Sequence, residues 1–536
     1  MHPINTQSLL VQRLRCVVIA LGSLLALPAL AAAPGITGPV FNLQAAATRA
    51  SQPNGKSVYT WGYGCLGAPT GFAPAAISNG FCPAAQLPGP TLIVTEGDTV
   101  TINLTNNLPA AAGSTSMLFP GFVTTAVVGG APGVLTQEAR NAAACNLALN
   151  AGCNTVSYTF IASTPGTHSY YSGTQADLQI EMGLYGALIV LPNAVPAACN
   201  AGLAAQNVLA RAQSGEGDFR LAHAAYDHPA SCYDREYLFQ FSEMDDDVHL
   251  QAEDQVLADL AKPVGTGCTN PGGCLVVATE PYTPGYFLVN GRSMPDDMDP
   301  NYAPQYPSQP YNGNPHMHPG ELTLVRIVGH GRWQHPFHEH ANHVRVLARD
   351  GNLLLSPAVA GVSVPAGPLL FTTTTTPGMT MDGIFYWTGK GLNWDVFGHG
   401  YAGDTSVCIP DANGYYTADP SAANFYEWCG DHNKALEKNP TGQVAAGGPM
   451  TLPDPNILMQ GAWYGGSPYL GGDATARSVG VTPISPAGTV ANSAGGYAYM
   501  WHSHNEREIT TDNVFPGGMM MMMLVDPRDS AIDETN

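Results

Sequence analysis

The hydrophobic pattern changes sense every few residues and is punctuated by turns. In PGPTLIVTEGDTVTINLTNNLP, starting at Pro88, an apolar run reaches Val94, a Glu96-Gly97-Asp98 turn follows, and Val100, Ile102 and Leu104 then alternate with Thr99, Thr101 and Asn103. Such alternation places successive side chains on opposite faces and predicts a half-buried strand. The stretches TVSYTFIAS and PGTHSYYSGTQADLQIEMGLYGALIVL extend the pattern to Leu191. Short strands separated by turns predict a Greek-key β-sandwich over residues 34–195. Residues 196–234 are rich in Ala and broken at Ser214–Gly217, which reads as a linker with one short helix.

Strands resume with REYLFQFSEM at Arg235 and continue through GYFLVNGRS, HPGELTLVRIVG, VRVLARDGN and LLFTTTTTPGMTMDGIFYWTG. This second run repeats the first in outline, so two copies of one sandwich is the economical architecture. The second domain is expected over 235–528, with a loop-rich insertion at about 390–495 and a tail at 529–536. Its closing strands are AYMWHSH and MMMMMLV.

Two stretches carry candidate chemistry: WQHPFHEHANH from Trp333 to His343, and WHSH from Trp501 to His504. Residues i and i+2 of a strand share a face about 6.6 Å apart. His338 therefore pairs with His340, and His502 with His504. If the two strands adjoin, four imidazoles converge, and neutral imidazole is the commonest protein ligand for copper, zinc and iron. His335 and His343 flank the first pair.

Gly 60, Pro 44 and only 11% charged residues suit strands and turns, and a formal charge of −21 argues against nucleic acid or an anionic membrane surface as partner. Residues 1–33 read as a signal peptide: Arg13 and Arg15 precede the apolar run Cys16 to Leu30, and Ala31-Ala32-Ala33 supplies small residues for cleavage. That run is short for a membrane span, and no later segment is long and apolar enough. Its removal takes two arginines and no acids, so −21 becomes −23. The ten remaining cysteines fall as near neighbours: Cys65/Cys82, Cys145/Cys153, Cys199/Cys232, Cys268/Cys274 and Cys408/Cys429. Disulfides are expected, in a chain exported to the periplasm or beyond.

Other candidates read as structure. The run Asp411 to Asp419 has its glycine misplaced for an EF-hand and reads as a turn. In a strand, Met519 to Met523 alternate faces, so at most about half could face one site, and core packing is favoured. Tyr170 and Tyr171 read as sandwich packing. His316 and His318 are expected to face solvent, where they could admit a metal ion.

Together, PGPTLIVTEGDTVTINLTN, PGTHSYYSG with GLYGALIV, FLVNGR, HPFHEH, and WHSH with PGGMM resemble the multicopper oxidase family, of cupredoxin fold. The chain is similar to a two-domain bacterial branch with incomplete copper motifs. The resemblance implies His335 as a type 1 copper ligand, His338 as type 2, and His340, His502 and His504 as type 3. Four departures stand beside these matches. Leu118-Phe119-Pro120-Gly121 replaces the family's H-W-H-G, Tyr171-Ser172-Gly173 replaces H-S-H, Ser503 replaces the type 1 cysteine, and Glu508 replaces the second type 1 histidine. A serine hydroxyl cannot substitute for copper thiolate, and four histidines cannot build a cluster that takes eight. The implied cofactor is copper, with zinc as a competitor; the implied partners are a small reducing substrate, dioxygen and further copies of the chain. Two functions follow: a copper-dependent oxidoreductase without a blue centre, or a non-catalytic metal-binding or structural cupredoxin-fold protein.

Overall fold

The computed structural model describes residues 33–74, 81–145, 152–390, 409–429 except 421 and 423, 466–470, and 495–532 except 527, 529 and 530. The signal-peptide reading falls almost wholly outside these residues, as does most of the insertion.

Both runs of strands fold as two-sheet sandwiches, as the alternation predicts. In the first, one sheet orders the strands Gly166–Tyr171, Tyr185–Leu191, Leu92–Thr95, Gly35–Thr37 and Phe72–Ala73. The facing sheet orders Ser57–Cys65, Val40–Ser51, Thr99–Asn107, Thr155–Ile161 and Thr124–Gly129. Val100, Ile102 and Leu104 point inward against Phe41, Trp61, Tyr158 and Leu188. Tyr170 is buried in the same core and donates its hydroxyl to the Pro90 carbonyl at 2.7 Å, the packing role expected of it.

In the second sandwich a seven-stranded sheet runs Tyr286–Val289, Arg235–Met244, Leu322–Gly329, Thr380–Tyr386, Val344–Arg349 and Asn352–Leu353, with Leu369–Leu370 beside Val344–Arg349. The six-stranded sheet orders His316–Met317, Met520–Val525, Gly495–Ser503, His335–Glu339 and Thr372–Thr375, with Gly466–Leu470 beside Gly495–Ser503. Their core holds Phe239, Phe241, Phe337, Phe385 and Trp501, whose indole meets Phe239, Phe337 and Phe385 edge-on. Met519, Met521 and Met523 enter this core, while Met520 and Met522 take the opposite face. The methionine run therefore follows strand alternation.

The sandwiches meet through buried polar contacts. Asp382 of the second accepts hydrogen bonds from the Thr167 amide at 3.0 Å and its hydroxyl at 2.6 Å, and from the Tyr226 hydroxyl at 2.5 Å. Tyr185 stacks on His330 at 4.3 Å and donates to Ser242 at 2.7 Å.

Segment 196–234 carries the helix Gly202–Ser214, closed by the left-handed Gly215 at φ 82°. It packs on the second sandwich: Arg211 pairs with Glu321 at 3.2 Å, and Glu216 reaches both Arg235 and His318. The helix Asp246–Leu260 is an addition to the sequence reading. Asp245 caps it through the Asp247 amide, and Asp246 and Asp247 place negative charge at its positive end.

Four of the five cysteine pairs are disulfides: Cys65–Cys82, Cys145–Cys153, Cys199–Cys232 and Cys268–Cys274. The fifth involves Cys408, outside the described residues. Among the described residues, no helix is long and apolar enough to cross a membrane.

Candidate metal centre

The strands His335–Glu339 and Gly495–Ser503 are antiparallel neighbours, and their register pairs His338 with His502, Phe337 with Ser503 and Glu339 with Trp501. Apolar side chains set this register, because Phe337 and Trp501 must both enter the core. The alternate residues then emerge together on the outer face. His338, His340, His502 and His504 are brought together there.

Ring centroids are 4.8 Å apart for His338 and His340, 5.5 Å for His338 and His502, 4.9 Å for His338 and His504, 5.1 Å for His340 and His502, and 5.5 Å for His502 and His504. One nitrogen from each of His338, His340 and His502 lies within 4.8 Å of the others. The Nε2 atoms of His340 and His502 are 3.2 Å apart. Two nitrogens held tetrahedrally at about 2.0 Å from one ion would stand roughly 3.3 Å apart, so the donor set fits a metal.

Burial grades across the cluster, from His338 inside to His504 exposed. Burial, followed by the neighbouring imidazoles, lowers His338 to about 4, and burial lowers His502. Both rings are therefore neutral near pH 7, the form that binds metal. His502 Nδ1 donates to the Ser503 carbonyl at 2.7 Å, so Nε2 carries the lone pair that faces His340. His338 Nδ1 meets the Thr372 hydroxyl at 2.8 Å.

His335 does not join the four. Its odd position puts it on the core side of the strand with Phe337, where Nε2 bonds Glu243 at 3.0 Å. Nδ1 lies 3.0 Å from Glu508 Oε2, off the N–H direction, so this contact is ionic more than a well-aligned hydrogen bond. Burial opposes protonation of His335, but the two carboxylates outweigh it and raise the imidazole to about 9. Glu508 Oε2 also accepts the Ser503 hydroxyl at 2.5 Å. The groups at the implied type 1 position thus engage one another, and this set offers no thiolate. It does not fit a blue copper centre.

His343 also stands apart, edge-on to Phe371 at 5.2 Å. The solvent-facing expectation for His318 is corrected: it is buried, with Nε2 2.9 Å from Glu216 and Nδ1 2.8 Å from the Asp526 carbonyl. Its sequence neighbourhood looked like an open turn, but the C-terminal residues pack over it. His316 is half-buried against Asp526 at 2.7 Å.

Glu243 and Thr372 were missed by the sequence reading. A lone carboxylate in the buried run LFQFSEM was the available signal for Glu243, because a buried charge requires partners.

Residues 82–195 match the family model described as multicopper oxidase. This bears out the resemblance in the first sandwich; HPFHEH and WHSH lie beyond the matched segment. No curated protein matches the chain. Similar solved structures include the blue copper oxidase from Nitrosomonas europaea, 14% identical, TM-score 0.41, covering 90% of this chain and 85% of that one. The multicopper oxidase mgLAC is 15% identical, TM-score 0.42, covering 92% and 87%. The copper nitrite reductase from Nitrosomonas europaea is 18% identical, TM-score 0.35, covering 65% and 84%.

Proposed function

We propose that this chain, with its multicopper oxidase match over residues 82–195, is an exported copper-binding protein that holds its metal through His338, His340, His502 and His504. The convergence of His338, His340 and His502 from two adjacent strands, with the His504 ring beside His338 and His502, carries the reading. Copper bound there would supply one-electron chemistry, and the exposed rim at His504 would leave room for a small reducing substrate or dioxygen. His335, with a carboxylate at each nitrogen, is left out of the ligand set, and no type 1 centre is proposed.

Export is supported by the basic-then-apolar start of the chain and by disulfides, which persist in oxidising compartments. The periplasm and the exterior both suit it.

A second reading, non-catalytic copper or zinc binding, is favoured by Ser503. Without a thiolate beside the cluster, the family's electron path into it is broken. Metal analysis of the purified mature protein, joined to oxygen uptake with phenols and reduced metal ions, separates the two. Copper with substrate-dependent uptake supports the oxidoreductase; bound metal without uptake supports the binding protein; a protein that takes up neither copper nor zinc ends both.

A further inference from the structure

We infer that Glu508 is a positioning residue for the four-histidine site, tying together the two strands that carry it. This rests on the reading that those imidazoles bind metal. The backbone ladder between the strands registers only three residue pairs, from Glu339 and Trp501 to Phe337 and Ser503. Past that point His504 belongs to a turn, held by its amide on the Pro336 carbonyl at 2.8 Å. At the other end the His340 amide reaches the Met500 carbonyl at 3.4 Å, so single backbone bonds flank a short ladder, and side-chain ties add to them in setting the ligand spacing.

Glu508 supplies those ties in one buried carboxylate. Oε2 accepts the hydroxyl of Ser503, the residue between His502 and His504, at 2.5 Å. The same oxygen lies 3.0 Å from Nδ1 of His335, three residues before His338. Oε1 accepts the Asn505 side-chain amide at 2.8 Å, and the Asn505 backbone amide returns to the Ser503 oxygen at 3.1 Å. The brace is itself anchored. The Glu508 amide donates to the Asn505 carbonyl at 2.8 Å, and its carbonyl accepts from the Met519 amide at 2.8 Å. Beyond His335, Glu243 accepts the Arg332 amide at 2.6 Å and the Trp333 amide at 3.0 Å, fixing the start of the first ligand strand.

A carboxylate suits this position for a chemical reason. It accepts from a hydroxyl and an amide while facing the His335 imidazole, whereas a neutral histidine ring has a single acceptor nitrogen. Residues that hold metal ligands in place from behind typically change metal affinity by about 10–100-fold when removed.

The test uses the full mature chain as wild type, Glu508→Ala, Glu508→Gln and Ser503→Ala, with copper(II) as the probe. Affinity is read by competition titration, and geometry by the electron paramagnetic resonance spectrum of the bound ion. Glu508→Ala is expected to weaken copper binding about 10–100-fold and to change the spectrum. Glu508→Gln keeps the volume and one acceptor and should recover part of both. Ser503→Ala, which removes only the hydroxyl tie, should shift affinity in the same direction by less. If wild type binds no copper, the histidine reading falls and takes this inference with it. If wild type binds while Glu508→Ala and Ser503→Ala match it in affinity and spectrum, the positioning role alone is overturned. Should Glu508→Ala fail to fold, Ser503→Ala decides: unchanged affinity and spectrum there overturn the role.

Discussion

The Nε2 atoms of His340 and His502, side chains 162 residues apart in the chain, face each other at 3.2 Å. Because the Nδ1 proton of His502 is committed to the Ser503 carbonyl, its Nε2 presents a lone pair, and either the His340 proton or a cation must meet it. Both sandwiches bury extensive apolar cores and disulfides staple the chain, so it is expected to fold without an ion. The double variant His338→Ala with His502→Ala should therefore stay folded and lose most copper binding. Calorimetry should show copper raising the melting temperature of wild type and leaving the double variant unmoved, since only an ion that prefers the folded state stabilises it. Equal stabilisation of both proteins would place the metal elsewhere.

The copper-loaded protein should lack the intense visible absorption of a blue centre. That band requires a thiolate bond to copper, and the groups assembled at the corresponding place are a hydroxyl, a carboxylate and an imidazole held between two carboxylates. An absorption spectrum recorded during copper titration checks this. An intense blue band would show that another part of the chain supplies a sulfur ligand.

Trp501 should prove a joint determinant of stability and of the site. It is fully buried, touches three phenylalanines edge-on, and donates its indole N–H to the His340 carbonyl at 3.1 Å. Trp501→Ala is expected to cost about 3–5 kcal/mol in chemical denaturation and to weaken copper binding, because both the cavity and the lost hydrogen bond act on the ligand strands. Trp501→Phe should retain more of each.

Much of this was legible in the sequence, for a physical reason. Strand alternation is a local rule, so Val100, Ile102 and Leu104 turned inward as read, and His338, His340, His502 and His504 shared a face once their strands adjoined. The same rule, applied to His335, excludes it from that face: it stands an odd number of residues from His338. Its place among the implied ligands came from the family's motif, whose cysteine and second histidine this chain has replaced. His318 was illegible because a long-range neighbour decides its surroundings, Asp526 lying 208 residues away, and the partner of Glu243 could not be named because His335 lies 92 residues from it. The helix Asp246–Leu260 was overlooked although its Asp245 cap and acidic first turn were in plain sequence.

The core beneath the histidines gives the apo protein a pH dependence whose sign can be worked out. Burial alone would depress His335, but Glu243 and Glu508 raise it from an ordinary 6.5 to about 9 in the folded state. A group whose folded value is raised adds stability that is fully present below pH 6.5 and is lost as pH climbs through 9. The span corresponds to about 3 kcal/mol. Denaturant unfolding of metal-free protein should therefore show stability falling between about pH 6.5 and 9. His335→Gln cannot carry the charge and should flatten that slope while lowering stability at pH 6, where Glu243 and Glu508 would lose the cation between them. A wild-type slope that persists unchanged in His335→Gln would assign the pH dependence to other groups and remove the cationic imidazole from the account.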